Sequence, residues 1–262
     1  MTRPTTMTRW WWIRHAPVVG QDGRIYGNLD VDCDCGDEAL FRALAASLPA
    51  EPVWLVTPLS RTRATAQAIA RHHLARPADF AVEPLLAEQD FGSWQGLTYA
   101  ELAEQRSGAW HRFWLAPAEE VPPGGESFAA LSARVAEAIE TQTRRHTGRD
   151  IVCVSHGGPI RAALAHALAV TPEQALSFAV DNCSLTRLDH FAEETPAPEE
   201  RPAGERLGGS WRITLVNALG VNARAQIPAK SGPGNAPGPT RGPMLGSRRR
   251  QESRNHWRKP QP

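Results

Sequence analysis

Three short apolar runs along the chain each give way abruptly to polar residues. Trp10-Trp11-Trp12-Ile13 ends in Arg14-His15, and Val53-Trp54-Leu55-Val56 runs into Thr57-Pro58-Leu59-Ser60-Arg61. Ile151-Val152-Cys153-Val154 runs into Ser155-His156-Gly157-Gly158-Pro159. Runs of this length and content predict buried strands. The second and third are followed by helical-looking stretches, from Thr62 to His72 and to about Leu168. If the strands pack in parallel, Arg14, His15, Arg61 and His156 stand at equivalent strand ends, where an open α/β sheet has its ligand crevice.

Two arginines and two histidines make a poor core and a good phosphoryl site. Guanidinium forks match phosphate oxygens in pairs, and a neutral imidazole is a nucleophile. Further along come Leu59-Ser60-Arg61-Thr62-Arg63, Glu88-Gln89-Asp90-Phe91-Gly92-Ser93-Trp94-Gln95-Gly96, Gly125-Glu126-Ser127 and Ser155-His156-Gly157-Gly158. With Arg14-His15 these five motifs, in this order, resemble the histidine phosphatase superfamily, the phosphoglycerate mutase-like group, from about Trp10 to about Leu188. The resemblance implies a three-layer α/β/α fold with a largely parallel central sheet. It implies metal-independent hydrolysis of a small phosphorylated metabolite through a phosphohistidine, with no cofactor.

In that scheme His15 is the nucleophile and Glu88 the proton donor, with Asp90 next in line. Arg14, Arg61, Gly157 and a protonated His156 hold the phosphoryl oxygens. The loop after His15 departs from the family, which has Gly, Glu and Ser or Thr where this chain has Ala16, Pro17 and Val18. Gln21 takes the place of a phosphate-holding Asn. Glu126 or Ser127 is placed near the substrate by resemblance alone. Two other readings stand beside hydrolysis. One is mutase-type phosphoryl transfer, disfavoured because Glu88 and His156 are only 68 positions apart, fewer than the mutases usually carry. The other is an inactive phosphate-binding or scaffold module, which the altered loop favours and the retained residue types oppose.

Periodicity fills in the rest. Leu40, Ala43, Leu44 and Leu48 predict a covering helix, and Phe128, Leu131, Val135 and Ile139 another. Glu101 to Trp114 reads as a helix whose Trp110, Phe113 and Trp114 cap the active-site mouth or pack against the body. Trp94 reads as core and Arg24 as a surface or loop-anchoring charge; Arg63, His72, His73 and Arg134 read as surface. Ser184–Leu188 and Trp211–Val216 read as a hairpin with a long loop over 189–210.

Charge divides the chain. Residues 223–262 hold seven Pro, five Gly and nine Lys or Arg against one acid, Glu252, so of 29 basic and 28 acidic residues in all, 20 and 27 precede them. The expected organisation is a flexible N-terminus (1–9), a phosphatase domain (10–222) and a disordered basic tail (223–262) able to touch nucleic acid or an anionic surface weakly. The Trp10–Ile13 run is too short for a signal-peptide core or a membrane span. Cys33, Cys35, Cys153 and Cys183 suggest no disulfide framework, and Cys33-Asp34-Cys35 is too closely spaced for a metal half-site. The expected location is cytoplasmic.

Overall fold

The computed structural model describes residues 6–192 and 207–219. Its strands are β1 (Thr6–Arg14), β2 (Val53–Val56), β3 (Ala81–Val82), β4 (Asp150–Ser155), β5 (Leu185–Ala192) and β6 (Ser210–Ala218). They form one sheet in the order β3-β2-β4-β1-β5-β6. The β3–β2, β2–β4 and β4–β1 pairs are parallel, and β5 and β6 complete the edge antiparallel. The helices are α1 (Glu38–Ser47), α2 (Ser60–Ala70), α3 (Tyr99–Gln105), α4 (Phe128–Arg145), α5 (Gly157–Leu168) and the short α6 (Pro172–Ala175).

The alternation of strand side chains builds the three layers. On β1, Trp10 and Trp12 face one way and meet Leu131, Val135 and Ile139 of α4 with Ile160 and Leu164 of α5. Trp11 and Ile13 face the other way, into Phe41 and Leu44 of α1 and Ala66 and Ile69 of α2. A strand covered on both faces reads as an unbroken apolar run, which is why the sequence showed no alternation there. Two of the three ring nitrogens are anchored: Trp10 Nε1 donates to Thr143 Oγ1 at 2.9 Å and Trp11 Nε1 to Asp150 at 3.0 Å, while Trp12 Nε1 has no partner among the described residues.

Four expectations need correction. Residues 6–9 belong to β1, held by pairing with β5 and by the Arg9–Asp150 ion pair at 3.3 Å. The hairpin strands reach further, so the 189–210 loop loses Asp189–Ala192 and Ser210 to β5 and β6. Asp189 is fully buried because Arg187, Arg212 and Thr214 all donate to it. The 101–114 helix stops at Gln105. Arg106 instead lies over Trp94 and Trp110, with its centre 5.0 Å from each ring, and pairs with Glu120, folding the segment back. His73 is buried, its two ring nitrogens bonded to the carbonyls of Ala75 and Pro49. The expected tail at 223–262 and the remainder of the long loop at 193–206 lie outside the described residues. Among the described residues no helix is long and apolar enough to cross a membrane.

Candidate active site

Strand register brings the predicted residues level. Arg14 pairs with Ser155, and Val56 with Val154, so Arg14-His15, Thr57 and Ser155-His156 all emerge at one edge of the parallel strands. The backbone of the Arg14-His15 pair is pinned by the turn before β5: Cys183 N donates to Arg14 O at 2.9 Å, and Asn182 Nδ2 to His15 O at 2.8 Å. The rings of His15 and His156 lie 5.1 Å apart between centroids, and both residues are fully buried.

The hydrogen bonds of His15 define its tautomer. Its Nδ1 lies 2.7 Å from Ala16 O; a carbonyl only accepts, so Nδ1 carries the proton and Nε2 keeps a free lone pair. Burial, then the charge of Arg61 and to a lesser degree that of Arg14, pull its pKa down to about 3, although the Ala16 bond opposes them. His156 is held well below the ordinary histidine value by burial, then by His15, Arg61 and Arg14. The sequence reading had His156 protonated; in the free protein it is neutral. Its Nε2 lies 2.9 Å from Thr57 Oγ1, a residue the sequence did not single out.

Arg61 is buried in the first turn of α2. Its Nη1 and Nη2 donate to the carbonyls of Leu29 and Gly27 at 2.6 and 2.7 Å, and its guanidinium centre lies 5.2 Å from the Tyr26 ring. Arg14 Nη1 donates to Val180 O at 2.7 Å. Of the five buried side-chain nitrogens with no partner among the described residues, four belong to these side chains: Arg14 Nε, His15 Nε2, Arg61 Nε and His156 Nδ1. Buried polar atoms are nearly always paired, so four unpaired ones gathered at the same strand ends mark a place prepared for an oxygen-rich ligand.

Glu88 reaches the same place from the irregular segment after β3. Its carboxylate accepts from Gly158 N, 3.1 and 3.3 Å from its two oxygens, at the start of α5. A Cβ on Gly158 would stand 2.3 Å from Glu88 Oε1, so the glycine is required by the carboxylate. Arg134, read from sequence as solvated, ties this segment down. It donates to the carbonyls of Leu85, Ala87 and Glu88 and pairs with Glu126. Glu126 and Ser127 are therefore structural: the first pairs with Arg134, and the Ser127 hydroxyl caps α4 by accepting from Ala130 N at 3.0 Å. Asp90 accepts from Gly92 N and Gln95 Nε2 within its own loop.

A cavity of about 470 Å³ opens over the site, lined by Arg14, Tyr26, Glu88, Gly157, Arg161 and Trp114 among others. Phe113 and Trp114 do serve its mouth, whereas exposed Trp110 only covers Arg106. Arg24 also lines it while bonded to Gly96 O and Glu101. Gln21 does not reach the cavity: it sits in a tight turn whose Gly20, Asp22 and Gly23 all have positive φ, and its carbonyl accepts from Arg24 N. The loop contributes Tyr26 instead, edge-on to His15 with centroids 6.4 Å apart. Tyr26, Thr57 and Arg161 were missed from sequence. A lone arginine within Ile160–Ala165 was the available signal for the last.

The sequence profile of the histidine phosphatase superfamily, branch 1, matches residues 10–198. The chain belongs to this superfamily. A bifunctional protein of Mycobacterium tuberculosis is 36% identical over 164 residues, 63% of this chain and 40% of that protein, so the chain spans two fifths of that relative's length. Phosphoserine phosphatase 1 of Hydrogenobacter thermophilus is 32% identical over 177 residues, 66% of this chain and 82% of that protein. Among solved structures, mycobacterial glucosyl-3-phosphoglycerate phosphatase in complex with inorganic phosphate superposes with a TM-score of 0.61 at 26% identity, covering 84% of this chain and 99% of that one. The mostly parallel sheet with helices on both faces is the superfamily's fold.

Proposed function

We propose that this histidine phosphatase superfamily member hydrolyses small phosphomonoesters through a phosphohistidine on His15. The observation that carries the reading is the set of four unpaired buried nitrogens at the strand ends, one of them the lone-pair nitrogen of a neutral histidine. His15 Nε2 attacks phosphorus as the ester P–O bond breaks, and the leaving oxygen takes the proton of the Glu88 carboxyl group. Water then attacks the phosphohistidine, Glu88 accepts its proton, and the N–P bond breaks to release inorganic phosphate. Arg14 and Arg61 neutralise the phosphoryl oxygens and the Nδ1–H of neutral His156 donates to them, with Thr57 donating to His156 Nε2 to fix that tautomer. Gly157 leaves the backbone bare beside them, at the positive end of α5.

Side chains fill every role, so the proposal includes no metal or cofactor. Relatives named for phosphoserine and for glucosyl-3-phosphoglycerate support a small phosphorylated metabolite as substrate, and the cavity has the size for one. The short span between Glu88 and His156 favours hydrolysis over mutase-type transfer. Four free cysteines among the described residues support a reducing, cytoplasmic setting. A phosphatase screen over a metabolite panel in the presence of EDTA tests the reading: phosphate release is expected with at least one ester, and none with any ester would overturn it.

A further inference from the structure

The phosphate clamp uses Arg14 and Arg61 and leaves Arg161 unexplained. This arginine lies on the cavity-facing side of α5 within an otherwise apolar run, Ile160 to Ala165. Its Nε donates to Phe178 O at 2.8 Å, and the Trp114 ring covers its guanidinium centre at 4.6 Å. Among the described residues it makes no other hydrogen bond and no ion pair. Burial lowers its pKa to about 10, partly opposed by the nearby Glu88 carboxylate. The position a Cβ would take on Gly157 is 3.0 Å from Arg161 Nη1 and 3.7 Å from Arg14 Nε, so the two guanidinium groups face each other across the bare glycine.

The charge of the cavity points the same way. Arg14, Arg24, Arg112 and Arg161 line it against a single carboxylate, Glu88, and among the described residues only Arg24 of the four has an acidic partner, Glu101. Arg161 stands beside Glu88, which on the reading above protonates the leaving oxygen. On that reading, an anion held by Arg161 on the Glu88 side of the cavity belongs to the departing alcohol. Stacking on Trp114 fixes the guanidinium plane and leaves its two terminal nitrogens to bind an anion as a fork.

Resting on the hydrolase reading of this site, we propose that Arg161 is a specificity-determining residue that binds a second anionic group on the substrate's leaving alcohol. A carboxylate and a second phosphoryl group share this chemistry.

The test compares kcat/KM for O-phosphoserine and 3-phosphoglycerate, which carry a carboxylate, and fructose 1,6-bisphosphate, which carries a second phosphoryl group, with that for glycerol 3-phosphate, which carries neither. In the parent at least one of the doubly anionic esters should exceed glycerol 3-phosphate by about tenfold to a hundredfold, the worth of a charge-assisted hydrogen-bonded pair. Which of them does so distinguishes the two sources. Arg161→Gln should collapse that ratio by about tenfold or more, and Arg161→Lys, keeping charge but not the fork, by less. A parent without the preference, or an Arg161→Gln ratio within twofold of the parent's, overturns the proposal. Should Arg161→Gln fail to fold, Arg161→Lys decides by the same ratio, with a fall of about threefold expected and no change overturning it. If the parent cleaves none of the esters, the hydrolase reading fails by itself, and calorimetric Kd ratios for 3-phosphoglycerate and glycerol 3-phosphate in the same proteins decide the role of Arg161 by the same limits.

Discussion

The backbone N–H of Gly158 donates to the carboxylate of Glu88, 3.1 and 3.3 Å from its two oxygens, and the missing side chain of that glycine is what makes room for it. A methyl group there would meet Oε1 at 2.3 Å. Gly158→Ala should therefore push Glu88 aside and slow esters with poor leaving groups by about a hundredfold, while p-nitrophenyl phosphate, whose leaving group needs little protonation, loses far less. Glu88→Gln should show the same asymmetry, by roughly 10² to 10⁴. Equal losses on both esters would move the acid role away from Glu88.

His15→Ala should abolish turnover and leave the far-ultraviolet spectrum unchanged. Rapid acid quenching of the parent with substrate should trap acid-labile phosphate on protein, and the variant should trap none. Substantial activity in the variant would end the phosphohistidine mechanism.

Stability should depend on pH through the buried histidines. His15 and His156 are neutral in the fold, with pKa values lowered to about 3 and well below normal, whereas in the unfolded chain each titrates near 6.5. Below that value the unfolded chain takes up protons that the folded protein refuses. Stability is thus whole above pH 7 and is lost as pH falls, by up to roughly 1.4 kcal/mol per pH unit for each group. Urea midpoints at pH 7, 6 and 5 should fall more steeply for the parent than for His15→Asn. Parallel slopes would show that His15 is not held neutral.

Arg134 was read as a surface charge because helical spacing says only which side of α4 a residue is on. It cannot show that three carbonyls of a neighbouring irregular segment lack donors. Removing it leaves those carbonyls and Glu126 unserved, so Arg134→Ala should cost about 2 to 4 kcal/mol by urea unfolding and lower kcat through the Glu88 segment. A loss below 0.5 kcal/mol, the usual surface effect of about that size, would restore the solvated reading.

Truncation after Asn222 should leave kcat/KM on small phosphomonoesters within about twofold, since every site residue precedes it. The same truncation should remove any salt-sensitive binding to nucleic acid or anionic vesicles. A tenfold loss of kcat/KM in folded protein would instead bring the basic segment into the site.

The strand ends were legible because an apolar run that stops at Arg14-His15 or Ser155-His156 marks both a buried strand and its exit from the core. Register then followed from parallel packing alone. Less legible was anything decided by partners distant in sequence. Asp189 looked like a loop residue until Arg187, Arg212 and Thr214 closed on it. Trp110, Phe113 and Trp114 have helical spacing, yet Arg106 stacking between Trp94 and Trp110 folds that segment into an irregular cap. In the loop after His15 the sequence pointed to a donor at Gln21; what the loop supplies is two carbonyls and an aromatic ring, aimed at Arg61.

If the proposed hydrolysis holds, the four unpaired nitrogens also tie the durability of the protein to its own product. Each is a buried polar atom whose cost is relieved when an oxyanion arrives, so any anion that fills the site stabilises the fold, by an amount that rises with the logarithm of its concentration above its Kd. Inorganic phosphate, which the proposed hydrolysis would release at the end of every cycle, is such an anion. Surroundings rich in phosphate would thus keep the protein intact and slow it at once, and its heat tolerance and its throughput would be opposite readings of one concentration.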